Sequence, residues 1–372
     1  MAITQTYVDY GAGNDTSGDG SIGTPWKTLQ KAFDTLIRNT TDGNQVNLKA
    51  GTAHVNAASL DLTTFVAGGA LSATAPLILR GYTSAANDGG VGEVDCNGAT
   101  MWTQANLAYI VMIDLECHSP GNNNLINWTS GQNRTILRCE FHKGASSPSG
   151  KTLVYVATAE SLVAESYVHD AGTSGIGIYC DRIINNYIHD CATGITSAAD
   201  VIGNIIKVPT NGTGFSTGLA RSRLIGNVVW SGSSTGTGIS VGNSYFALVA
   251  NNIVVGFSGA GGKGVSATNL GLLGYNAFYN NTANYSISDQ TWLDLTAGDI
   301  ALAADPFTDA ANGDFSLTTA ALAALRSLGW PATYLGAHAN TDPHITIGAL
   351  QYGPTPAAGG GAVRRVMRLL GG

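Results

Sequence analysis

The sequence is poor in charge, because only 12% of its 372 residues are Asp, Glu, Lys or Arg. A disordered chain would carry more charge and fewer apolar residues, so we expect an ordered body. Basic residues are fewer than acidic ones, 18 against 25, and the formal net charge is −7. This balance argues against a nucleic acid partner, because phosphate binding requires a basic surface.

A long apolar segment and a targeting segment are also missing. No run of about 18 apolar residues occurs, so no membrane span is predicted. Met1 to Gln5 lack the basic and apolar regions of a signal peptide. We therefore expect a protein of a virion or an extracellular surface, which leaves its cell inside a virus particle or has lost a signal.

One four-residue pattern recurs about every 18 to 27 residues. Its copies are VDCN at Val94, LECH at Leu115, CEFH at Cys139, SYVH at Ser166, NYIH at Asn186, NIIK at Asn204, NVVW at Asn227, NIVV at Asn252 and NAFY at Asn276. The third residue is always small or apolar, which predicts that it faces a core. A glycine register at Gly175, Gly194, Gly214, Gly238 and Gly264 also falls once per repeat and predicts strands separated by turns.

The first residue of the pattern is asparagine in five successive copies. Amides carry both donors and acceptors, so stacked asparagines can bond to each other and to the backbone at a repeated bend. We predict an interior asparagine ladder made of Asn186, Asn204, Asn227, Asn252 and Asn276.

These repeats resemble the right-handed parallel β-helix superfamily, the pectate-lyase-like fold of many polysaccharide lyases, hydrolases and phage tailspikes. Residues 19–21 (DGS) and 25–32 (PWKTLQKA) are similar to the opening element of secreted and phage β-helix proteins. Asp305 to Leu317 and Ile347 to Gln351 are similar to the closing segment of bacterial carbohydrate-active ones. The resemblance implies an all-β solenoid, which we expect to contain about ten or more coils.

Four regions are predicted along the chain. Residues 1–43 hold a loop and an amphipathic helix, Pro25 to Ile37, which begins after Thr24 and caps the open end of the solenoid. Residues 44–300 form the coils and residues 301–353 a C-terminal cap. Residues 354–372 are a linker and a basic amphipathic tail, expected to contact other virion or surface proteins or to support a homotrimer; the alternative is a frayed tail.

The five cysteines are an odd count. Cys96 and Cys117 lie at the core position of successive repeats, so we interpret them as small core fillers. Reduced thiols are expected, although a disulfide between those two, or between Cys180 and Cys191, is sterically conceivable.

Strand alternation turns the second and fourth residues of the pattern outward. With coils about 4.8 Å apart, these residues form one patch of carboxylates, imidazoles and phenols. The candidate ligand face is Glu116, His118, Glu140, His142, Tyr167, His169 and His189. Related positions are Asp95, Tyr187, Asn97, Lys207 and Trp230 within the two columns, and Glu93, Asp114, Arg138 and Glu165 just upstream.

The chemistry of this patch has two interpretations. Carboxylates about 5 or 10 Å apart suit glycosidases, and histidine can act as a general base. No cofactor is expected, although Asp114, Glu116 and Glu140 can hold calcium. Alternatively the histidines only stack, because solenoids repeat one residue up a column.

Two functions therefore remain. The first is a virion-associated decoration, fibre or receptor-binding protein that displays a rigid, carbohydrate-binding surface. The second is a polysaccharide lyase or glycoside hydrolase. Known lyase signatures are not recognisable in the sequence, and no catalytic residue is assigned.

Overall fold

The computed structural model describes residues 3–56, 58–62, 65, 71–102, 107–119, 121, 123–143, 151–196, 198–219, 221–243, 247–288 and 291–325. They form two compact units, one up to Asp181 and one from Arg182 onward. The predicted basic tail and most of the predicted C-terminal cap lie outside the described residues. Within these residues, no helix has the length and apolar character needed to span a membrane.

The fold is a parallel β-solenoid of about 8 turns, which confirms the predicted fold class. A complete coil contributes one strand to each of three faces. Within a face, each strand pairs in parallel with its counterpart one coil later. The count is lower than the ten or more coils that we predicted. Strands such as Thr4–Val8 and Ile300–Ala301 belong to coils that do not have a described strand on every face.

In the first unit, the strands fall on the three faces in chain order. The first face contains Thr4–Val8, Asn44–Lys49, Leu77–Tyr82, Ile110–Ile113, Thr135–Leu137 and Leu162–Ala164. The second contains His54–Val55, Gly92–Asp95, Leu115–Ser119, Glu140–Lys143 and the beginning of Tyr167–Tyr179. The third contains Ile126–Trp128, Thr152–Val156 and the end of Tyr167–Tyr179.

The second unit repeats this arrangement. The first face contains Arg182–Ile184, Asp200–Ile202, Arg223–Ile225, Leu248–Ala250, the end of Lys263–Gly274 and Thr291–Leu295. The second contains the beginning of Tyr187–Thr196, then Ile205–Val208, Val228–Ser231, Ile253–Val255, Ala277–Tyr279 and Ile300–Ala301. The third contains the end of Tyr187–Thr196, then Thr213–Thr217, Thr237–Asn243, the beginning of Lys263–Gly274 and Ala283–Ile287.

A short segment follows the coils of the second unit. It consists of an antiparallel hairpin of Phe307–Asp309 and Asp314–Leu317, with the 3₁₀ turn Ala310–Asn312 between its strands, and the helix Thr319–Leu325. Another 3₁₀ turn, Thr296–Gly298, lies within the last coil, before Ile300–Ala301. Phe307, Phe315 and Leu325 are buried, so this segment packs on its own unit rather than extending into solvent.

A left-handed residue marks the turn between the first and second faces. In the first unit it is Asp114, Arg138 or Glu165, at φ values of 55°, 51° and 51°. The second unit uses Asn185, Gly203, Gly226, Asn251 and Tyr275 at the same turn. Repeating this left-handed backbone state gives the same bend in each of these coils, and the residue that follows it is buried.

In the second unit, the residue after each left-handed residue of this turn is an asparagine, and these asparagines form the predicted ladder. The backbone N–H and the Nδ2 of Asn204 both donate to Asn227 Oδ1, at 2.9 and 3.1 Å. Asn186, Asn227 and Asn252 make the same pair of bonds to the next asparagine. All five asparagines are buried. Because each amide both donates and accepts, the ladder satisfies polar groups that the turn would otherwise leave unpaired.

Asp299 ends the ladder. Its Oδ1 accepts the backbone N–H of Asn276 at 2.7 Å, and Oδ2 accepts the hydroxyl of Tyr285. An asparagine inside the ladder must accept hydrogen bonds from the previous asparagine and also donate one to the next. Asp299 has no following asparagine, so a side chain that only accepts is sufficient there. Burial raises the pKa of Asp299 to about 6, against the lowering effect of its two donors.

We expect Asp299→Asn to raise the stability at pH 7. The folded-state pKa lies above the usual value, so the folded protein binds the extra proton and loses stability as the pH rises from about 4 to 6. An amide removes this penalty, which is on the order of 1 kcal/mol after allowance for partial exposure. Urea unfolding of both proteins at several pH values tests this. The stability difference should shrink on acidification, and a difference that widens toward pH 4 would contradict the assignment.

The N-terminal helix is shorter than we predicted. It spans Leu29–Thr35, and Thr28 rather than Thr24 caps it by accepting the Lys31 N–H at 3.2 Å. Trp26 is instead held in a bridge to Val8. Ile37 lies beyond the C-cap Leu36 and is 86% exposed. Leu29, Ala32 and Phe33 are buried, with the Phe33 ring 6.2 Å from Trp102. That this helix caps the end of the solenoid stays a prediction.

All five cysteines are buried, and none of them is joined to another in a disulfide. Burial raises the pKa of Cys96 and of Cys139 to about 12, which keeps both thiols protonated. Cys139 occupies the position that holds asparagine in the second unit, and its N–H donates to Ser166 Oγ at 3.1 Å. The turn of the first unit thus keeps the ladder geometry with smaller side chains.

Candidate ligand-binding face

The predicted columns are present on the second face of the first unit. Glu116, Glu140 and Tyr167 are in register on adjacent strands, and so are His118, His142 and His169. Between them the column Cys117, Phe141 and Val168 is fully buried. The sequence alignment of these three repeats is therefore correct.

The alignment of the first repeat is wrong by two residues. Val94, rather than Cys96, is in register with Cys117, so Glu93 stands beside Glu116 and Asp95 beside His118. Both Val94 and Cys96 are buried, because a shift of two residues keeps every side chain on its original side of the strand. The inward pattern could not distinguish the two registers.

Three histidine rings stack along this face as a histidine ladder, defined by His118, His142 and His169. The ring centroids of His118 and His142 are 5.3 Å apart, and those of His142 and His169 are 4.9 Å apart. Interplanar angles of 18° and 9° make both contacts stacked ones. The predicted stacking role of the column is thus present.

Every histidine of this ladder is also bonded to the glutamate one coil earlier. His118 Nε2 lies 3.0 Å from Glu93 Oε1, and His142 Nε2 lies 3.1 Å from Glu116 Oε1. His169 Nε2 lies 3.0 Å from Glu140 Oε1. We call the surface made by these six residues with Asp95, Tyr167 and Asp170 the His–Glu face.

His169 has a carboxylate at hydrogen-bonding distance from each of its two ring nitrogens. Its Nδ1 lies 2.9 Å from Asp170 Oδ2, while its Nε2 faces Glu140. Carboxylates accept hydrogen bonds, so both ring nitrogens donate and the imidazolium form is favoured. Burial lowers the pKa of His169, but the hydrogen bonds and charges of Glu140 and Asp170 together raise it above the usual value.

Asp114 is not available as a ligand in the way that its sequence position suggested. Its two oxygens accept Arg138 Nε and Nη2 at 2.7 and 3.0 Å. Arg80 Nη2 contacts it from the other side at 3.1 Å. The hydrogen bond to Asp114 in turn raises the pKa of the Arg138 guanidinium. Two cations neutralise this carboxylate, which argues against a calcium ion between Asp114, Glu116 and Glu140.

In the second unit a later segment covers the second column, so the exposed patch does not continue there. Tyr187, Ile205, Val228 and Ile253, all in the second column, are buried. Phe315 of the C-terminal hairpin covers this side, with its ring 5.9 Å from Tyr187 and 6.3 Å from Trp230. Lys207 Nζ donates to the carbonyl of Ala311 at 2.6 Å.

His189, the remaining predicted site residue, lies in the second unit. Its Nδ1 is 2.7 Å from Asp190 Oδ2, and its ring is 5.2 Å from that of Tyr187. Sequence reasoning missed the carboxylates Asp170 and Asp190, although each directly follows a histidine of the pattern. A repeated His-Asp pair was the available signal.

The His–Glu face can form hydrogen bonds to a polar ligand, and its side chains can transfer protons. The His118–Glu93 and His142–Glu116 pairs each join an imidazole that can act as a general base to a carboxylate that orients it. Together with Tyr167, these pairs place hydrogen-bond donors, acceptors and an aromatic ring at regular intervals along the face.

Comparison with known proteins identifies the fold. The crystal structure of pectate lyase Pel9A matches with a TM-score of 0.52 and 14% identity, over 95% of this chain and 98% of that one. The GH136 lacto-N-biosidase from Eubacterium ramulus matches with a TM-score of 0.37 and 12% identity, over 81% of this chain and 67% of that one. No family model matches the chain, and no curated protein does. The chain therefore has a pectate-lyase-like parallel β-helix fold.

Proposed function

We propose that this protein displays the His–Glu face as a rigid carbohydrate-binding surface on a virion or another extracellular surface. The observation that carries the proposal is the regular pairing along the face. Each histidine of the ladder contacts a glutamate at 3.0 or 3.1 Å, and the same contact repeats three times. A repeated surface suits a repeating ligand better than a single reacting bond.

The chemistry of the face supports a glycan that carries no acidic groups. Its carboxylates are Glu93, Asp95, Glu116, Glu140 and Asp170, against three imidazoles. Even with every histidine protonated, this surface is negative and would repel an acidic polysaccharide. Sugar hydroxyls can donate to these carboxylates, and the Tyr167 ring offers an aromatic face for a pyranose.

The alternative is a polysaccharide lyase or glycoside hydrolase. The His142–Glu116 pair has the geometry of a general base and its orienting group, which favours this function. Pectate lyase Pel9A, which shares the fold, is named for a lyase activity, and that name makes pectate a reasonable test substrate.

Three further points are proposals of the same kind. Residues 354–372 attach the protein to other virion or surface proteins, or join three copies into a homotrimer. A calcium ion can join acidic side chains of the face. None of these points is needed for glycan binding by the His–Glu face.

A panel of neutral and acidic polysaccharides tests both functions. Binding is measured by affinity electrophoresis, and turnover by unsaturated-product absorbance and by reducing ends. We expect binding of a neutral glycan without turnover, weakened about tenfold by His142→Ala or Glu140→Gln through loss of a charged hydrogen bond.

Glu160→Gln is the matched control, because Glu160 is exposed and lies outside the face. It should leave binding unchanged. Turnover that disappears in His142→Ala or Glu140→Gln would establish the enzyme instead. Neither binding nor turnover would leave the face as a stacking device of a structural rod.

A further inference from the structure

The first two coils of the His–Glu face bring three metal-ligating side chains together. One ligand atom each from Glu93, Glu116 and His118 lies within 4.8 Å of the other two. The two glutamates are in register on adjacent strands, and His118 is two residues beyond Glu116 on the same side. His118 Nε2 is already 3.0 Å from Glu93 Oε1. Rigid neighbouring strands thus hold all three donors.

This end of the face also has the greatest excess of carboxylate. Asp95 is in register with His118, so Glu93, Asp95 and Glu116 crowd one end of the histidine ladder. The ion pairs that the described residues make with these carboxylates come from histidines. The guanidinium groups of Arg80 and Arg138 are bound to Asp114.

The far end of the same ladder differs in its donors. Tyr167 takes the column position that Glu93, Glu116 and Glu140 hold in the preceding coils. A neutral phenol is a poor ligand for a divalent ion, whereas a carboxylate is a good one. The donor set therefore favours a metal at the first two coils rather than along the whole face.

We propose that Glu93, Glu116 and His118 bind a divalent transition-metal ion of the zinc class. One imidazole nitrogen and two carboxylate oxygens are ligands that zinc accepts at about 2.0 to 2.2 Å. Calcium prefers six to eight oxygen ligands, and magnesium retains most of its water, so neither suits a site with an imidazole. A fourth position stays open to water or to a ligand hydroxyl.

Asp95 is not one of the three proposed metal ligands, but its position next to His118 supports the proposal. Its Oδ1 lies 4.0 Å from His118 Nδ1, the ring nitrogen that faces away from Glu93. A small movement would let it accept the Nδ1 proton and direct the Nε2 lone pair at the metal. Carboxylates behind a metal-bound histidine commonly play this part. The site is independent of the glycan-binding proposal, because metal can be measured without any sugar.

Titration calorimetry of the full chain with Zn²⁺ alone tests the proposal. We expect one Zn²⁺ to bind at this site in the wild type, with at least tenfold weaker binding in Glu93→Gln and in His118→Gln. Glu140→Gln is the matched control, since it breaks the same kind of His–Glu contact two coils further along. It should keep the wild-type affinity.

Circular dichroism confirms that each variant is folded. Co²⁺ provides a second measurement on the wild type, because its absorption spectrum reports nitrogen and oxygen ligands directly. His338 and His344 can contribute separate metal binding, so the difference between wild type and variants defines this site. Unchanged Zn²⁺ binding in His118→Gln, equal loss in Glu140→Gln, or a preference for Ca²⁺ over Zn²⁺ would each overturn the proposal.

Discussion

Asn227→Leu is expected to lower the free energy of unfolding by about 3 kcal/mol, because it removes two hydrogen bonds that the buried amide accepts and two that it donates. Asn227 Oδ1 accepts the N–H and Nδ2 of Asn204, at 2.9 and 3.1 Å. Its Nδ2 donates to Val201 O at 2.8 Å and to Asn252 Oδ1 at 3.0 Å. Leucine has a similar size, so the loss reports hydrogen bonds rather than a cavity.

Most of that loss comes from the groups left behind. The Asn204 N–H stays buried without the acceptor on which its turn depends, and a buried unsatisfied donor costs about 1 to 3 kcal/mol. Urea unfolding followed by circular dichroism measures the change. Asn312→Leu is the control, since Asn312 is exposed and its Nδ2 donates to Asp309 Oδ2 at 2.8 Å, away from the ladder. Equal effects of the two substitutions would contradict an interior ladder.

The ladder was predictable because its cause is local and repeats. Every coil of the second unit must satisfy the same polar groups at the same bend, so asparagine recurs there at one position of the pattern. The inward column was predictable for the same reason. Phe141 and Val168 fill equivalent positions over a continuous core, and both are fully buried.

The burial of the second unit's columns had no such local cause. Phe315 covers Tyr187 and Trp230, and Lys207 reaches Ala311 across 104 residues of sequence. The pattern around Asn186 and Asn204 is the same whether or not a later segment packs on it. Only the tertiary structure separates the exposed face of the first unit from the covered one of the second.

The contacts within the candidate site were only partly predictable from the sequence. The stacking of His118, His142 and His169 follows from a correct register. Their bonds to glutamates of the preceding coil depend on side-chain direction, which a column alignment does not contain. The two-residue error at Val94 also concealed that Glu93, and not Asp95, stands beside Glu116.

Asp114→Ala should destabilise the first unit by about 4 kcal/mol. The substitution leaves two guanidinium groups without their carboxylate, and breaking a buried ion pair from one side costs about 3 to 5 kcal/mol. The side chains of Arg80, Asp114 and Arg138 are 19%, 6% and 24% exposed, so water replaces the lost contact only in part. Alanine also tolerates the φ of 55° at this position less well than aspartate.

Asp200→Ala provides the matched control for Asp114→Ala. Asp200 also accepts two bonds from one guanidinium, at 2.6 Å each, but its partner Arg223 is 58% exposed. An exposed pair contributes about 1 kcal/mol or less, and salt screens it. Urea unfolding at low and high salt should therefore show a large, salt-insensitive loss for Asp114→Ala and a small, salt-sensitive one for Asp200→Ala.

Asp114→Asn separates charge from backbone geometry at the same site. Asparagine tolerates the left-handed conformation and can still accept one bond from Arg138, but it cannot balance two cations. We expect its loss to fall between those of wild type and Asp114→Ala. If Asp114→Asn is as stable as wild type while Asp114→Ala is not, the turn conformation, rather than the ion pair, holds Arg80 and Arg138 against the coil.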